Sequence, residues 1–354
     1  PAGIINPNIL PQQSISLEVG AAMAFFRNRL SADVTYYNVV DKNQIIDLSI
    51  SQASAFTSRK VNGNKYRTKG LEVSLTGNII KNDQFSWTST INWSRAIQRL
   101  EEIYNNQGKY GNLKKGDRAD SYYSTVWEKS ADGKVILNPN TGMPTKNPFP
   151  QYLGYFQPDW QFGFANQFKF KGFQVNLDFD GSIGGVMNST TIEKMWWGGK
   201  HPSSVLYRQE QYDAGKPVFV PDGVIVTGGE LTRDVNGNIT SDTRTYTSNT
   251  KAVDWQAWSQ NYPYQARVTE SESKLFANVF DRSFVKLRRL SVGYDVNKVF
   301  KLKQLTALNA SLFGYNLAMW KKVPYIDPDF GVGNDGNLQD PSTRYIGFSL
   351  DFKF

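Results

Sequence analysis

The chain of 354 residues contains no cysteine. That excludes a disulfide framework, a thiolate nucleophile and a zinc–thiolate site. It contains one histidine, His201, so a Ser-His-Asp relay would have to be built on that residue. No run of 18 apolar residues occurs, so no helix is expected to cross a membrane. A β-barrel escapes that test, because each strand shows lipid only every second residue. Acidic residues are in the minority, 32 against 40 basic ones, which leaves a formal charge of +8. A basic balance can mean nucleic acid, but here Lys and Arg are scattered through turns and loops, which argues against it.

What is present is an alternation of apolar and polar residues with a period of 2, the side-chain period of a strand. The final ten residues show it best. Ile346, Phe348, Leu350, Phe352 and Phe354 alternate with Tyr345, Gly347, Ser349, Asp351 and Lys353. Eight further segments repeat the pattern. They run through Ile15 to Phe25, Leu30 to Tyr36, Leu71 to Thr76, Phe85 to Ser94, Trp160 to Phe170, Phe173 to Asp180, Leu290 to Tyr294 and Leu308 to Leu312. Asn166 interrupts the apolar face of the fifth and predicts a bulge or a paired polar site. Aromatic residues reach 14%, as expected where rings line two membrane interfaces.

The connections alternate in length. Those at 27–28, 79–84, 171–172 and 297–304 are short, and those at 41–65, 98–158, 182–282 and 318–343 are long. Short periplasmic turns and long extracellular loops are the pattern of bacterial outer-membrane barrels. The expected fold is therefore all-β, an antiparallel transmembrane β-barrel with long extracellular loops and a periplasmic C-terminus. Nine strands is an odd number, whereas single-chain barrels normally have an even one. With Pro1 first and no signal peptide, the chain is read as a mature piece or fragment that needs the rest of its barrel.

Several stretches, in order, resemble the C-terminal part of TonB-dependent outer-membrane transporters of the SusC/RagA type. They are Asn6-Pro7-Asn8-Ile9-Leu10-Pro11 with Ser16 to Gly20, Arg29 to Asn38, and Lys69-Gly70-Leu71-Glu72-Val73. Tyr315 to Trp320, Asp327-Pro328-Asp329 and Thr343-Arg344-Tyr345 complete the likeness. It departs at Pro11-Gln12-Gln13 and at Tyr315. The resemblance implies that residues 1–354 are the last nine or so strands of a 22-stranded type barrel, without its plug domain and N-terminal strands. It implies TonB-energised uptake of glycan oligomers or peptides, a SusD-type lipoprotein lid as partner, and contact with the TonB system through the missing part. It also implies that Phe348, Phe352 and Phe354 form an assembly signal. No chemistry on the substrate and no cofactor are implied. A plugless channel or adhesin barrel is the alternative, and a soluble β-rich glycan-binding protein or hydrolase is a second.

The candidate binding residues are Trp196, Trp197, Tyr207, Trp255 and Trp258, all in the longest loop, 182–282. Aromatic rings stack on sugar faces or fill apolar peptide pockets. Equally, a loop of about 100 residues needs a core of its own, and the same rings can supply it. Asp178 and Asp180 fall on the presumed lumen face and could form a glycosidase pair or a solvated lining. Asp234, Asn236 and Asn238 are spaced like a calcium loop, but Ile239 stands where glycine is required and Thr245 where glutamate is. An EF-hand is excluded, and an Asn-Gly turn is the plain reading. Asp329-Phe330-Gly331 spells a kinase tripeptide with none of its companion motifs.

Overall fold

The computed structural model describes residues 3–235, 237–261, 279–300, 304–330 and 340–353. Phe354, Asn236 and Gly331 lie outside them. Nine strands form one antiparallel sheet: β1 (Gln13–Phe25), β2 (Leu30–Lys42), β3 (Lys65–Lys81), β4 (Phe85–Glu102), β5 (Trp160–Phe170), β6 (Phe173–Ile183), β7 (Phe284–Asp295), β8 (Ala307–Lys321) and β9 (Tyr345–Lys353). Each pairs with its neighbour in sequence, and β1 and β9 are the two edges. Among the described residues the sheet does not close into a barrel. All nine alternating segments are therefore strands of one up-and-down sheet.

The register carries the alternation across strands. Met23, Ala32, Leu75, Ile91, Phe164, Phe179, Leu287 and Ala318 make one apolar row through eight strands. The opposite face holds Asp33, Ser74, Asn92, Gly163, Asp180 and Lys286 in the next row. The apolar face is largely exposed, with Val19, Ile91, Leu312, Phe348 and Phe352 open to the surroundings. A soluble sheet would bury that face. Aromatic rings bracket it. Trp87 stacks on Phe168 and Phe173 packs on Tyr294 towards the short turns, while Trp160 with Phe162 and Phe179 with Trp320 stand towards the long connections. From Phe85 to Trp93 a strand rises about 27 Å, shortened by tilt to about 20 Å, close to the apolar band of such barrels.

Turn chemistry fixes the short end. Lys171 and Gly172 both have positive φ, 46° and 96°, the two-residue hairpin turn whose twist suits antiparallel strands. β3 and β4, 17 and 18 residues long, meet at the short turn 82–84. Their surplus length must project at the opposite end, beyond the apolar band.

Asn166 is a paired site and not a bulge. The register of β5 is unbroken, and the Trp87 Nε1–H donates to Asn166 Oδ1 at 3.0 Å. The resembling motifs also acquire physical reasons. Gly70 lies under the Tyr37 ring, where a Cβ would overlap ring atoms. Asn316 has φ of 52° at the register shift between β7 and β8, a conformation asparagine tolerates better than most residues.

Asp327 and Asp329 tie the last long connection to the inner face of β7. Lys286 Nζ lies 2.6 Å from Asp327 and 3.0 Å from Asp329, and Arg288 bridges Asp329 at 2.6 Å to Asp180 at 2.7 Å. The Lys286–Asp327 pair is almost fully buried. Burial pushes the Asp329 carboxyl up, but hydrogen bonds from Arg288 and Lys286 outweigh it and hold the carboxyl below its usual range.

Two outcomes are expected. Arginine at Val19, Val34, Ile91, Leu177 or Leu350, all mid-strand on the apolar face, should cost about 2–4 kcal/mol of membrane-inserted stability. Arginine at Asp33 or Asn176, on the polar face, should cost less; equal loss of assembly for both sets counts against the facing. Replacing Asp327 and Asp329 together by asparagine strands a buried cation and should cost about 3–5 kcal/mol. The Asp329 share has a depressed folded pKa, so it is intact above about pH 4 and fades as pH falls through the folded value. Limited proteolysis of 322–330 across a pH series reads this; protection that rises as the pH falls below the usual carboxylate range refutes it.

Candidate functional site

The buried apolar core of the chain lies mostly in the long connections. Met187, Ile192, Trp196, Phe280, Val323 and Ile326 form one cluster, joining the third long connection to the fourth. Val253, Trp255 and Trp258 form another, with Met143 from the second long connection packed against it. Glu128 of the second connection takes Arg233 of the third at 2.8 Å. Nearby, Arg244 hydrogen-bonds Asp242 and holds its carboxyl at about 2. The long connections thus fold together into a cap at one end of the sheet.

Three short helices shape a cleft in this cap: α1 (Thr190–Trp197), α2 (Arg208–Ala214) and α3 (Trp255–Asn261). Ser189 caps α1 by accepting from the Ile192 N–H at 3.1 Å, and Gly198-Gly199 ends it, Gly199 with φ of 64°. Asp254 accepts from the Ala257 N–H at 2.7 Å at the start of α3. The Gln211 side chain clamps α2 to that point, donating to Asp254 at 2.7 Å and accepting from the Trp255 N–H at 2.8 Å. The cleft of about 870 Å³ is lined by Trp197, Arg208, Gln211, Asp254, Trp255 and Gln260 among others.

The structure separates the five aromatic candidates. Trp197 is 59% exposed and stands over the cleft. Tyr207, partly exposed, packs on Phe219 and Trp255 with centroids 4.9 and 5.1 Å away, behind the cleft lining. Trp196, Trp255 and Trp258 are buried in the two clusters. Trp196 stacks flat on His201, 3.9 Å between centroids, and the Trp255 Nε1–H donates to the Ser204 carbonyl at 2.9 Å. These three rings hold the cap together. Composition pointed to rings alone; Arg208, Gln211, Asp254 and Gln260 were missed, and places at helix ends could have signalled only Arg208, Asp254 and Gln260.

The other candidates have plain partners. His201 is 1% exposed and accepts from the Ser203 N–H, so it does not face solvent as a proton shuttle would. Asp178 is paired with Arg289 at 2.7 Å and Asp180 with Arg288. Two carboxylates each neutralised by an arginine do not form the acid and nucleophile of a glycosidase. Asp234 accepts from the Asn238 N–H and side-chain amide, at 2.9 and 2.7 Å, as the anchor of a turn.

No family model matches the chain. Two TonB-dependent receptors of Formosa agariphila, P3 and P26, are 21% and 20% identical to it over 99% and 98% of its length. The chain spans about a third of the length of these curated relatives, 35% of each. Among solved structures, the RagAB peptide transporter matches with a TM-score of 0.63 at 17% identity, over 97% of this chain and 35% of that one. The RagAB peptide importer in its open-open state matches with a TM-score of 0.62 at 16% identity, over 99% and 35%. At such identities these structures establish the fold. The relatives are TonB-dependent receptors, and the chain is similar to them in sequence along nearly its whole length.

Proposed function

We propose that the chain forms the C-terminal wall and surface cap of an outer-membrane importer of the SusC/RagA type. In this reading its nine strands belong to a 22-stranded type barrel, the long connections face the cell exterior and the C-terminus faces the periplasm. The observation that carries it is the division of the sheet. An exposed apolar face bracketed by aromatic rings backs onto a polar face, and every long connection emerges at one end. Among the described residues the outer edges of β1 and β9 are unpaired, which supports a larger barrel, because open backbone groups are not tolerated in hydrocarbon. The cargo is a peptide or glycan oligomer, admitted through a SusD-type lipoprotein lid seated on the cap and driven by the TonB system. No cofactor and no bond-breaking step are needed.

The cap supplies the contacts. Trp197 offers an open ring, with Arg208, Gln211 and Asp254 as fixed polar groups beside it, and Tyr207 supports it from behind. Trp196 and Trp258 act indirectly by keeping the cleft in shape, and the buried Trp255 forms part of its wall.

Uptake of labelled peptide and glycan oligomers by cells carrying the full-length protein tests this. An uncoupler should stop uptake, whereas a plugless channel would continue. Trp197→Ala should lower uptake severalfold with insertion and lid association unchanged. Trp255→Ala should cost about 3–5 kcal/mol of local stability and lose lid association as well. If Trp197→Ala cells take up both cargo classes at the normal rate, the cleft is not the contact site.

A further inference from the structure

The sequence scatters its cations, but the fold gathers five of them at one place on the outer wall. Leu71 pairs with Arg95, Lys69 with Ile97 and Arg67 with Arg99 across β3 and β4. These alternate positions share the face of Trp93 and Ile91, the apolar side of the sheet. Arg95 stands two residues beyond Trp93, and Lys69 two beyond Leu71, about 7 Å along each strand. Lys115, from the connection after β4, closes over the same cleft of about 650 Å³.

The floor of this cleft is Tyr36, Leu71, Trp93 and Ile97, and its rim is cationic. Among the described residues Glu101 is the only carboxylate lining it, and it is occupied by Arg67 at 2.6 Å and Lys65 at 3.2 Å. Arg99 donates to the Gly116 carbonyl at 2.7 Å, which fixes the segment carrying Lys115. Lys69, Arg95 and Lys115 are exposed. Like charges held this close repel one another, and a bound anion offsets that repulsion.

We propose that this cleft binds a phosphate-bearing lipid of the leaflet on the side of the long connections. The proposal rests on the barrel reading above. Interfacial rings mark headgroup depth, and basic clusters just beyond them recognise anionic headgroups. An amphiphile satisfies both parts, with phosphate on the rim and acyl chain on the floor. A soluble acidic protein does not, because the floor is continuous with the lipid-facing wall.

The test places the full-length protein in phosphatidylcholine nanodiscs containing a minority of lipid A, and native mass spectrometry reads lipid A enrichment on the protein. Each cation removed should lower retention roughly fivefold, so Lys69→Gln with Arg95→Gln should lower it about 25-fold. Lys81→Gln with Lys298→Gln, at the short-turn end, should leave it unchanged, and excess inorganic phosphate should not displace the lipid. Equal enrichment in the wild type and the Lys69/Arg95 variant overturns the site. Displacement by inorganic phosphate overturns the lipid assignment in favour of a free anion. Insertion without enrichment refutes this proposal alone, whereas failure to insert refutes the barrel reading and this proposal with it.

Discussion

The backbone of a membrane wall must satisfy its own polar groups. In hydrocarbon each unpaired N–H or C=O costs several kcal/mol, and no water is present to help. A sheet meets that demand between strands, and its pleat then sends alternate side chains to opposite solvents. Most other features follow from that geometry. The row from Met23 to Ala318 is apolar because it faces one medium, and the row from Asp33 to Lys286 is polar because it faces the other. Where a polar residue falls on the wrong face it must bring its own partner. Asn166 takes the Trp87 indole N–H, and the Trp87–Phe168 stack lies beside it.

The same constraint inverts the usual distribution of apolar residues. The strands expose theirs, while the buried clusters lie chiefly in segments that look like loops by sequence. A connection of about 100 residues seldom stays structureless in a compact protein, and ordering it costs conformational entropy that its own packing must offset. It is held by aromatic clusters and by the Glu128–Arg233 pair, and the last connection is held by the Lys286–Asp327 tie to the wall. These are ordinary soluble-protein devices mounted on a membrane sheet.

This difference decides what could be read from the sequence. The nine strands were legible because each states its period within ten residues and needs no distant information. Their extent was less so. β4 runs to Glu102, well past the apolar stretch ending near Trp93, because beyond the bilayer both faces are polar and the period disappears. The arginine partners of Asp178 and Asp180 are more than 100 residues away in sequence, and the Lys286 and Arg288 partners of Asp327 and Asp329 more than 40. No local pattern encodes such pairs. The cationic cleft was hidden for the same reason, since its residues converge only after β3 and β4 pair in register.

The neighbouring residues Trp196 and Trp197 carry this argument to the candidate site. Both are indoles at the end of one helix, and composition cannot tell them apart. One residue along a helix turns the side chain by about 100°, a consequence of 3.6 residues per turn. That rotation sends Trp196 into the cluster with Met187 and Val323, flat against His201, and leaves Trp197 over the cleft. The phase is set by Ser189 at the N-cap and by Ile192, which must face the same core. A ring's function here is therefore fixed by helix phase relative to a core contributed partly by another connection, and so by tertiary structure before chemistry.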